Sequence, residues 1–372
     1  MKLSIVNFSD VHFMAGNNSI LEKKQQLIKA IASRINSSEK KLFLMNGDSA
    51  FSGKQEEYDV AFDFFSDVIF EFEGTDFLCV PGNHDCNFSV MDSVIRETIL
   101  ERIKDNEDKR ENLIQKITLQ DHYDDYFSKF MEFLESSELI SDFPIFKVVN
   151  FSINEDQKIK INLINTAWDS TLHENAGTKY MPMTELQGLE YDNDALFNFS
   201  IIHHPTHWLE PNNKREFDHL LENVSDFIFT GHEHQESQIS KISPLGETII
   251  LEGNVLQENS DPKISGFNII TIEIENSIVV NIDLEQFAWD SQQNMYIVND
   301  FEEIKIDTMR RRINHASTGE NNRFFIKESM SKFINDLGAY VVHPRHGNLL
   351  LNDIFVYPDF ENSLEEKKIS KI

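Results

Sequence analysis

The chain has 372 residues, 40% of them hydrophobic, which is enough to bury a sizeable core in one large α/β domain with an appendage, or in two domains. Its 34 basic and 63 acidic residues leave a net charge of −29, which repels polyphosphate backbones and disfavours nucleic acid as a partner unless a basic patch is present. Two cysteines, Cys79 and Cys86, exclude a disulfide framework, and neither a signal peptide nor an apolar run of membrane-spanning length is present, so a cytoplasmic protein with no membrane partner is expected.

Residues 3–8 are a short apolar run of β-formers and make the first predicted strand. The strand runs into Ser9-Asp10-Val11-His12, where Asp10 and His12 lie two apart and point to one side of an extended chain. An amphipathic helix follows over 19–35, with Ile20, Leu27, Ile28, Ile31 and Ile35 at helical spacing. A second strand, 41–45, ends in Asn46-Gly47-Asp48, where Gly47 permits a sharp turn and Asp48 presents a carboxylate past the strand end. The next helix, 58–72, places Val60, Phe64, Phe65, Val68 and Phe72 on one side. A third strand, 77–80, drives into Pro81-Gly82 and delivers Asn83, His84 and Asp85 in succession. These residues have poor strand propensity and little value in a core. The β–α–β–α–β order predicts a mostly parallel sheet, and such sheets bind ligands outside the carboxyl ends of their strands.

Residues 90–137 are long, charged and helical in pattern, and read as a helical insertion. Its His122, with Asp121, Asp124 and Asp125 nearby, belongs to a solvated face rather than a metal site. From 143 onward the pattern turns to strands. Runs over 146–151 and 160–166 suggest a second, antiparallel or mixed sheet, followed by Trp168-Asp169-Ser170 and the loop residue His173, read as structural or exposed. A strand over 197–202 ends in His203-His204-Pro205, with Pro205 stopping it. A helix over 213–224 leads to a strand over 226–229 that ends in Thr230-Gly231-His232-Glu233-His234. Strands over 248–251, 267–274 and 278–287 complete the pattern, the last two forming a hairpin about Glu275-Asn276-Ser277.

Five apolar runs thus end in Asp10/His12, Asp48, Asn83/His84/Asp85, His203/His204 and His232/His234. Carboxylates and imidazoles without thiolates suit borderline divalent ions such as Mn²⁺, Fe²⁺ and Zn²⁺, and argue against a zinc finger. Each piece alone is an ordinary polar turn. Together they make a constellation.

The order Asp10-Val11-His12, Gly47-Asp48, Gly82-Asn83-His84-Asp85, His203 and Gly231-His232-Glu233-His234 resembles the calcineurin-like metallophosphoesterases over about the first 290 residues. The resemblance implies an α/β fold, a four-layer α/β/β/α sandwich over 1–289 with a helical insertion at about 90–140 and an α+β appendage over 290–372. It implies two divalent metal ions, with Mn²⁺ expected and Fe²⁺ or Zn²⁺ as alternatives. Asp10, His12 and His234 would bind the first ion, Asn83, His203 and His232 the second, and Asp48 would bridge. The family pattern places the ligating histidine two before the proline, hence His203 rather than His204. His84 would protonate the leaving oxygen or stabilise phosphoryl charge, with Asp85 orienting its ring, while a dimetal-bridged hydroxide attacks phosphorus.

For the substrate, the acidic balance favours a small phosphodiester such as a cyclic nucleotide, and no arginine clamp for a terminal phosphate is evident. The alternatives are a single-strand nuclease module of a larger bacterial defence or regulatory assembly, and a non-catalytic scaffold. Beyond 290, an amphipathic helix is predicted over 322–337, after Arg310-Arg311-Arg312, which reads as pairing with carboxylates. Residues 349–359 are similar to the connector preceding NTPase modules in some multidomain bacterial proteins. The extension is therefore expected either to make a homo-oligomer or to join a further module.

Overall fold

Side-chain alternation along the first strands divides their apolar residues between two cores. In the computed structural model, β1 (Lys2–Phe8) sends Leu3 and Ile5 to one side and Val6 and Phe8 to the other. Helix α1 (Ser19–Ile35) then leads to β2 (Lys40–Met45), which splits Leu42 and Leu44 from Phe43 and Met45 in the same way. Helix α2 (Gln55–Phe70) leads to β3 (Thr75–Cys79). Both helices cover the Val6 side, where Leu27 and Ile31 of α1 and Phe64, Phe65 and Val68 of α2 are buried against the sheet. The structure describes residues 1–89, 98, 100–102, 145–234, 237–243, 246–305, 342–343 and 347–348.

The second half builds β4 (Phe146–Ser152), β5 (Lys158–Ile164), β6 (Phe197–Ile201), α3 (Pro211–Val224), β7 (Phe227–Thr230), β8 (Ser237–Ser243) and β9 (Gly246–Glu252). The chain then returns to the first sheet with β10 (Gly266–Glu275), β11 (Ile278–Asp290) and β12 (Met295–Glu303). One sheet runs β12-β11-β10-β1-β2-β3 and the other β4-β5-β6-β7-β9-β8. The β1–β2–β3 and β5–β6–β7–β9 blocks are parallel, and the outer pairings are antiparallel. Leu3, Ile5, Leu42 and Leu44 meet Ile161, Phe199, Phe229 and Leu251 between the sheets. On the far face, Phe217, Leu221 and Val224 of α3 pack on Ile164, Ile202 and Ile228. The result is helix, sheet, sheet, helix.

Local chemistry sets the element ends. Glu210 caps α3 by accepting the N–H groups of Asn212 and Asn213, each at 3.0 Å, and Pro211 occupies the first turn, where its missing N–H costs nothing. Helix α2 begins three residues before the apolar periodicity does. Glu57 reaches back to accept the N–H of Ser52 at 2.7 Å and of Lys54 at 3.2 Å, closing the first turn with polar residues.

The sequence reading ends the sandwich at 289, but β12 continues its first sheet to Glu303. Only Tyr296 of β12 is buried, so the strand carries no alternating signal. Backbone contacts divide the chain into Met1–Ser317 and Thr318–Ile372. Within the second unit, β13 (Val342–His343) pairs antiparallel with β14 (Gly347–Asn348). The predicted insertion apart from residues 98 and 100–102, His122, the arginine cluster, the 322–337 helix and the 349–359 segment lie outside the described residues. Among the described residues no helix is long and apolar enough to cross a membrane.

Candidate metal centre

Each of five strands ends in a sharp turn at the same edge of the sandwich. Eight described non-glycine residues have a positive φ, and three of them (Asn276, Ser277, Asn294) belong to hairpin turns. The other five are Asp10 (52°), His12 (52°), Asp48 (58°), His232 (76°) and His234 (54°). A left-handed conformation is unfavourable for such side chains and persists where the surroundings over-determine it, typically at functional sites. Here the surroundings are adjoining loops: Asp10 N–H donates to the Gly47 carbonyl at 3.2 Å and His12 N–H to the Asp48 carbonyl at 2.9 Å. His232 N–H donates to the Asp10 carboxylate at 3.0 Å, tying the two sheets' loops together.

The side chains gather in two groups. In the first, His12 Nε2 lies 3.2 Å from His234 Nε2, and Asp10 Oδ1 lies 3.5 Å from His234 Nε2. In the second, Asn83 Oδ1 lies 3.1 Å from His203 Nε2 and 3.0 Å from His232 Nδ1. Asp48 joins them, its Oδ2 being 3.2 Å from His203 Nε2 and 3.8 Å from His12 Nδ1.

The donor set fits divalent cations. Asp10 Oδ1 and His12 Nδ1 are buried without a hydrogen-bond partner, a cost that a coordinated ion removes. The ligand atoms of Asp10, His12 and His234 all lie within 4.8 Å of one another, as do those of Asp10, Asp48 and His203. The glycines are packed to suit. A Cβ on Gly82 would overlap the Asp48 carboxylate, and one on Gly47 would come within 2.5–2.7 Å of the His203 ring.

Electrostatics point the same way. Burial alone would raise the Asp10 and Asp48 carboxyls, but the surrounding imidazoles outweigh it, taking Asp10 down to about 2 and Asp48 well below its usual value. Burial works against the His203 cation, yet Asp48 and Asp10 push it up to about 9. His234 is also pushed up to about 9, chiefly by its contact with Asp10, with burial opposing. His12 and His232 go the other way, to about 4, because burial dominates there. The carboxylates thus draw positive charge into the cluster, and protons on His203 and His234 occupy places that a divalent ion competes for.

Groups behind the donors fix their orientation, and the sequence motifs do not name them. His203 Nδ1–H donates to the Asn46 carbonyl at 2.7 Å, turning Nε2 into the cluster. His234 Nδ1–H donates to Glu258 at 3.0 Å. Trp208 sets its ring edge-on to His232, with centroids 4.2 Å apart, and its indole N–H donates to Glu233. His204 lies beside His203 and His232, with a ligand atom within 4.8 Å of theirs, but both its ring nitrogens are engaged: Nδ1 is 3.1 Å from Thr166 Oγ1 and Nε2 is 2.9 Å from Glu174. A buried Lys179 in turn bridges Glu174 and Asp169, each at 2.8 Å. His173 is exposed on this loop.

His84 sits beside the cluster with its ring 4.6 Å from that of His12, and its N–H donates to Asp48 Oδ1 at 2.8 Å. Asp85 does not orient it, contrary to the sequence reading. The His84 ring is held by the Phe51 carbonyl, 2.7 Å from Nδ1. The Asp85 carboxylate is buried and accepts the N–H groups of Ala50 (2.9 Å), Gly82 (2.9 Å) and Ser49 (3.3 Å) and the Tyr58 hydroxyl (2.9 Å). Burial and the nearby Asp48 charge push it up to about 6 despite those donors. It is a clamp between the second and third strand-end loops.

A two-sheet α/β sandwich with a carboxylate, imidazole and amide cluster at its strand ends is the build of a metal-dependent phosphoesterase. The calcineurin-like phosphoesterase family matches residues 3–236, and the chain belongs to that family. No curated protein sequence matches it. Similar solved structures include Vps29 from Cryptosporidium parvum, 12% identical with a TM-score of 0.37, covering 82% of this chain and 98% of that one. GAP50, the anchor in the inner membrane complex of Plasmodium, is 13% identical with a TM-score of 0.46, covering 82% and 89%. Vps29 from Entamoeba histolytica complexed with zinc is 13% identical with a TM-score of 0.31, covering 81% and 98%. At such scores the assignment rests on the family match and the site.

Proposed function

We propose that this chain is a dinuclear metal-dependent phosphodiesterase acting on small phosphodiesters. The observation that carries the reading is the convergence of seven donors on one edge, with Asp48 Oδ2 reaching both halves. Asp10, His12 and His234 would hold one divalent ion, Asn83, His203 and His232 a second, and Asp48 would be shared. The nitrogen and oxygen donors suit Mn²⁺, the ion proposed, as well as Fe²⁺ and Zn²⁺. Two such ions, when bound, lower the pKa of water and neutralise charge on phosphoryl oxygens.

The chain's own residues supply the rest. His84 donates its Nδ1 proton to the Phe51 carbonyl, which leaves Nε2 to act on the substrate. A protonated Nε2 donates to the leaving oxygen or to a phosphoryl oxygen, and the carbonyl keeps the ring in position for either task. The His84 main-chain N–H fixes Asp48 Oδ1, so the shared carboxylate and the acid are aligned by one residue. A scaffold needs neither the full donor set nor five left-handed side chains, which favours catalysis. The net charge of −29 favours a small ester over a polynucleotide, and two buried thiols, Cys79 and Cys86, support a reducing cytoplasm.

The test is a substrate panel with the full chain loaded with Mn²⁺: bis-p-nitrophenyl phosphate, p-nitrophenyl phosphate, a cyclic nucleotide and a single-stranded oligonucleotide. Small diesters should turn over fastest. Faster hydrolysis of the monoester would make it a phosphatase, and of the oligonucleotide a nuclease.

A further inference from the structure

One side chain at the site has no role in the chemistry above. Phe51 is 43% exposed on a segment that is otherwise fixed. Its N–H donates to the Phe13 carbonyl at 3.0 Å, and its own carbonyl accepts from His84 Nδ1 at 2.7 Å. A single exposed apolar side chain is ordinary on a protein surface. Position distinguishes this one. Phe70 and Phe301, the other exposed phenylalanines among the described residues, belong to the end of α2 and to the edge strand β12, neither of which supplies a donor. Of the three, Phe51 packs on a site residue, its centroid 5.5 Å from that of His84 at an interplanar angle of 37°. His84 in turn lies 4.6 Å from His12. An exposed aromatic ring therefore borders the catalytic histidine and the donor cluster. Trp208, across the cluster, has its ring against His232 and its N–H on Glu233, so it is already engaged.

We propose that the open face of Phe51 is a stacking platform for a planar group, a nucleobase or aryl ring, carried by the phosphodiester. The site would thereby select such esters over aliphatic ones. The inference rests on the phosphoesterase reading and names its substrate class. Charge supports it: in a chain of net charge −29, the donor cluster would meet the phosphate through the cations it would hold, so the remainder of a favoured ligand is neutral. An aromatic face suits a neutral planar group, because stacking tolerates any base and needs no charged partner. The backbone bonds on both sides of Phe51 hold the ring in place before the ligand arrives, which lowers the ordering cost of binding.

The test compares two phosphates that differ only in the base, adenosine monophosphate and ribose phosphate, binding to the Mn²⁺-loaded full chain in a calorimeter. The wild type should prefer the adenosine ligand by at least about fivefold. Phe51→Leu, on an exposed position, should bring that ratio to about one, and Phe51→Trp should preserve it. A wild-type ratio near one, or a ratio that Phe51→Leu leaves unchanged, overturns the inference and leaves the phosphoesterase reading standing. Failure of both phosphates to bind overturns that reading and this inference with it.

Discussion

In the proposed reading His84 is the acid, its Nδ1–H donated to the Phe51 carbonyl at 2.7 Å, and removing the imidazole takes away that acid while all seven donors remain. His84→Ala should lower kcat on an aryl phosphodiester by about 10²–10⁴-fold while the protein still binds two Mn²⁺, read by steady-state kinetics and metal analysis. Asp85→Ala should do the reverse. It strands three buried backbone N–H groups, those of Ser49, Ala50 and Gly82, each costing about 1–3 kcal/mol, while the Tyr58 hydroxyl keeps the Asp85 main-chain carbonyl at 3.1 Å. Denaturant unfolding should therefore show a large loss of stability. A stable Asp85→Ala protein with wild-type unfolding and depressed kcat would return Asp85 to the catalytic role the motif suggests. The sequence makes Asn83-His84-Asp85 visible as a block because adjacency is visible. It does not say that the carboxylate turns to the backbone of residues 49 and 50, since main-chain N–H groups leave no mark in a sequence. Glu258, Thr166 and Glu174 escaped for a related reason: each meets its histidine across many intervening residues, with no spacing to follow.

At the scale of elements, the strands that carry alternating apolar residues were legible, and so were their polar ends. β1, β2 and β3 follow the pattern closely because both their faces are buried. β12 was not legible, because one buried side chain sets no period, and α2 began early because Glu57 rather than an apolar residue closes its first turn. The turns between strands and donors are the least forgiving parts. Gly47 has a φ of 98°, and a methyl there would press on the His203 ring. Gly47→Ala should displace His203 and lower bound Mn²⁺ from two equivalents towards one in the purified protein. Two full equivalents in that variant would show that His203 is free to adjust, and the second donor group would need redrawing.

Across the whole molecule, two sheets are locked by a phenylalanine-rich core while their shared edge concentrates charge. Phe197, Phe199, Phe227 and Phe229 pack between the sheets, Phe199 edge-on to Phe227 and Phe229, beneath the loops that carry the donors. The charge has a consequence for stability. In metal-free protein, His203 and His234 are raised from 6.5 to about 9. A histidine raised on folding stabilises the fold fully below its unfolded value and loses that contribution as pH climbs through the folded one. Thermal stability of the chelated protein should therefore fall between pH 6.5 and 9, and Mn²⁺ binding at neutral pH should release protons to the buffer. A flat profile over that window, with no proton release, would contradict the electrostatics of the cluster.

The most direct measurement is hydrolysis of bis-p-nitrophenyl phosphate by the Mn²⁺-loaded full chain and by its Asp48→Asn variant, prepared identically. Asp48 Oδ2 lies 3.2 Å from His203 Nε2 and 3.8 Å from His12 Nδ1, within reach of both donor groups, so its neutral replacement should weaken both at once. The wild type should turn the ester over, and Asp48→Asn should lose more than about a hundredfold in rate. A folded Asp48→Asn protein hydrolysing at the wild-type rate would contradict a shared metal centre at these strand ends.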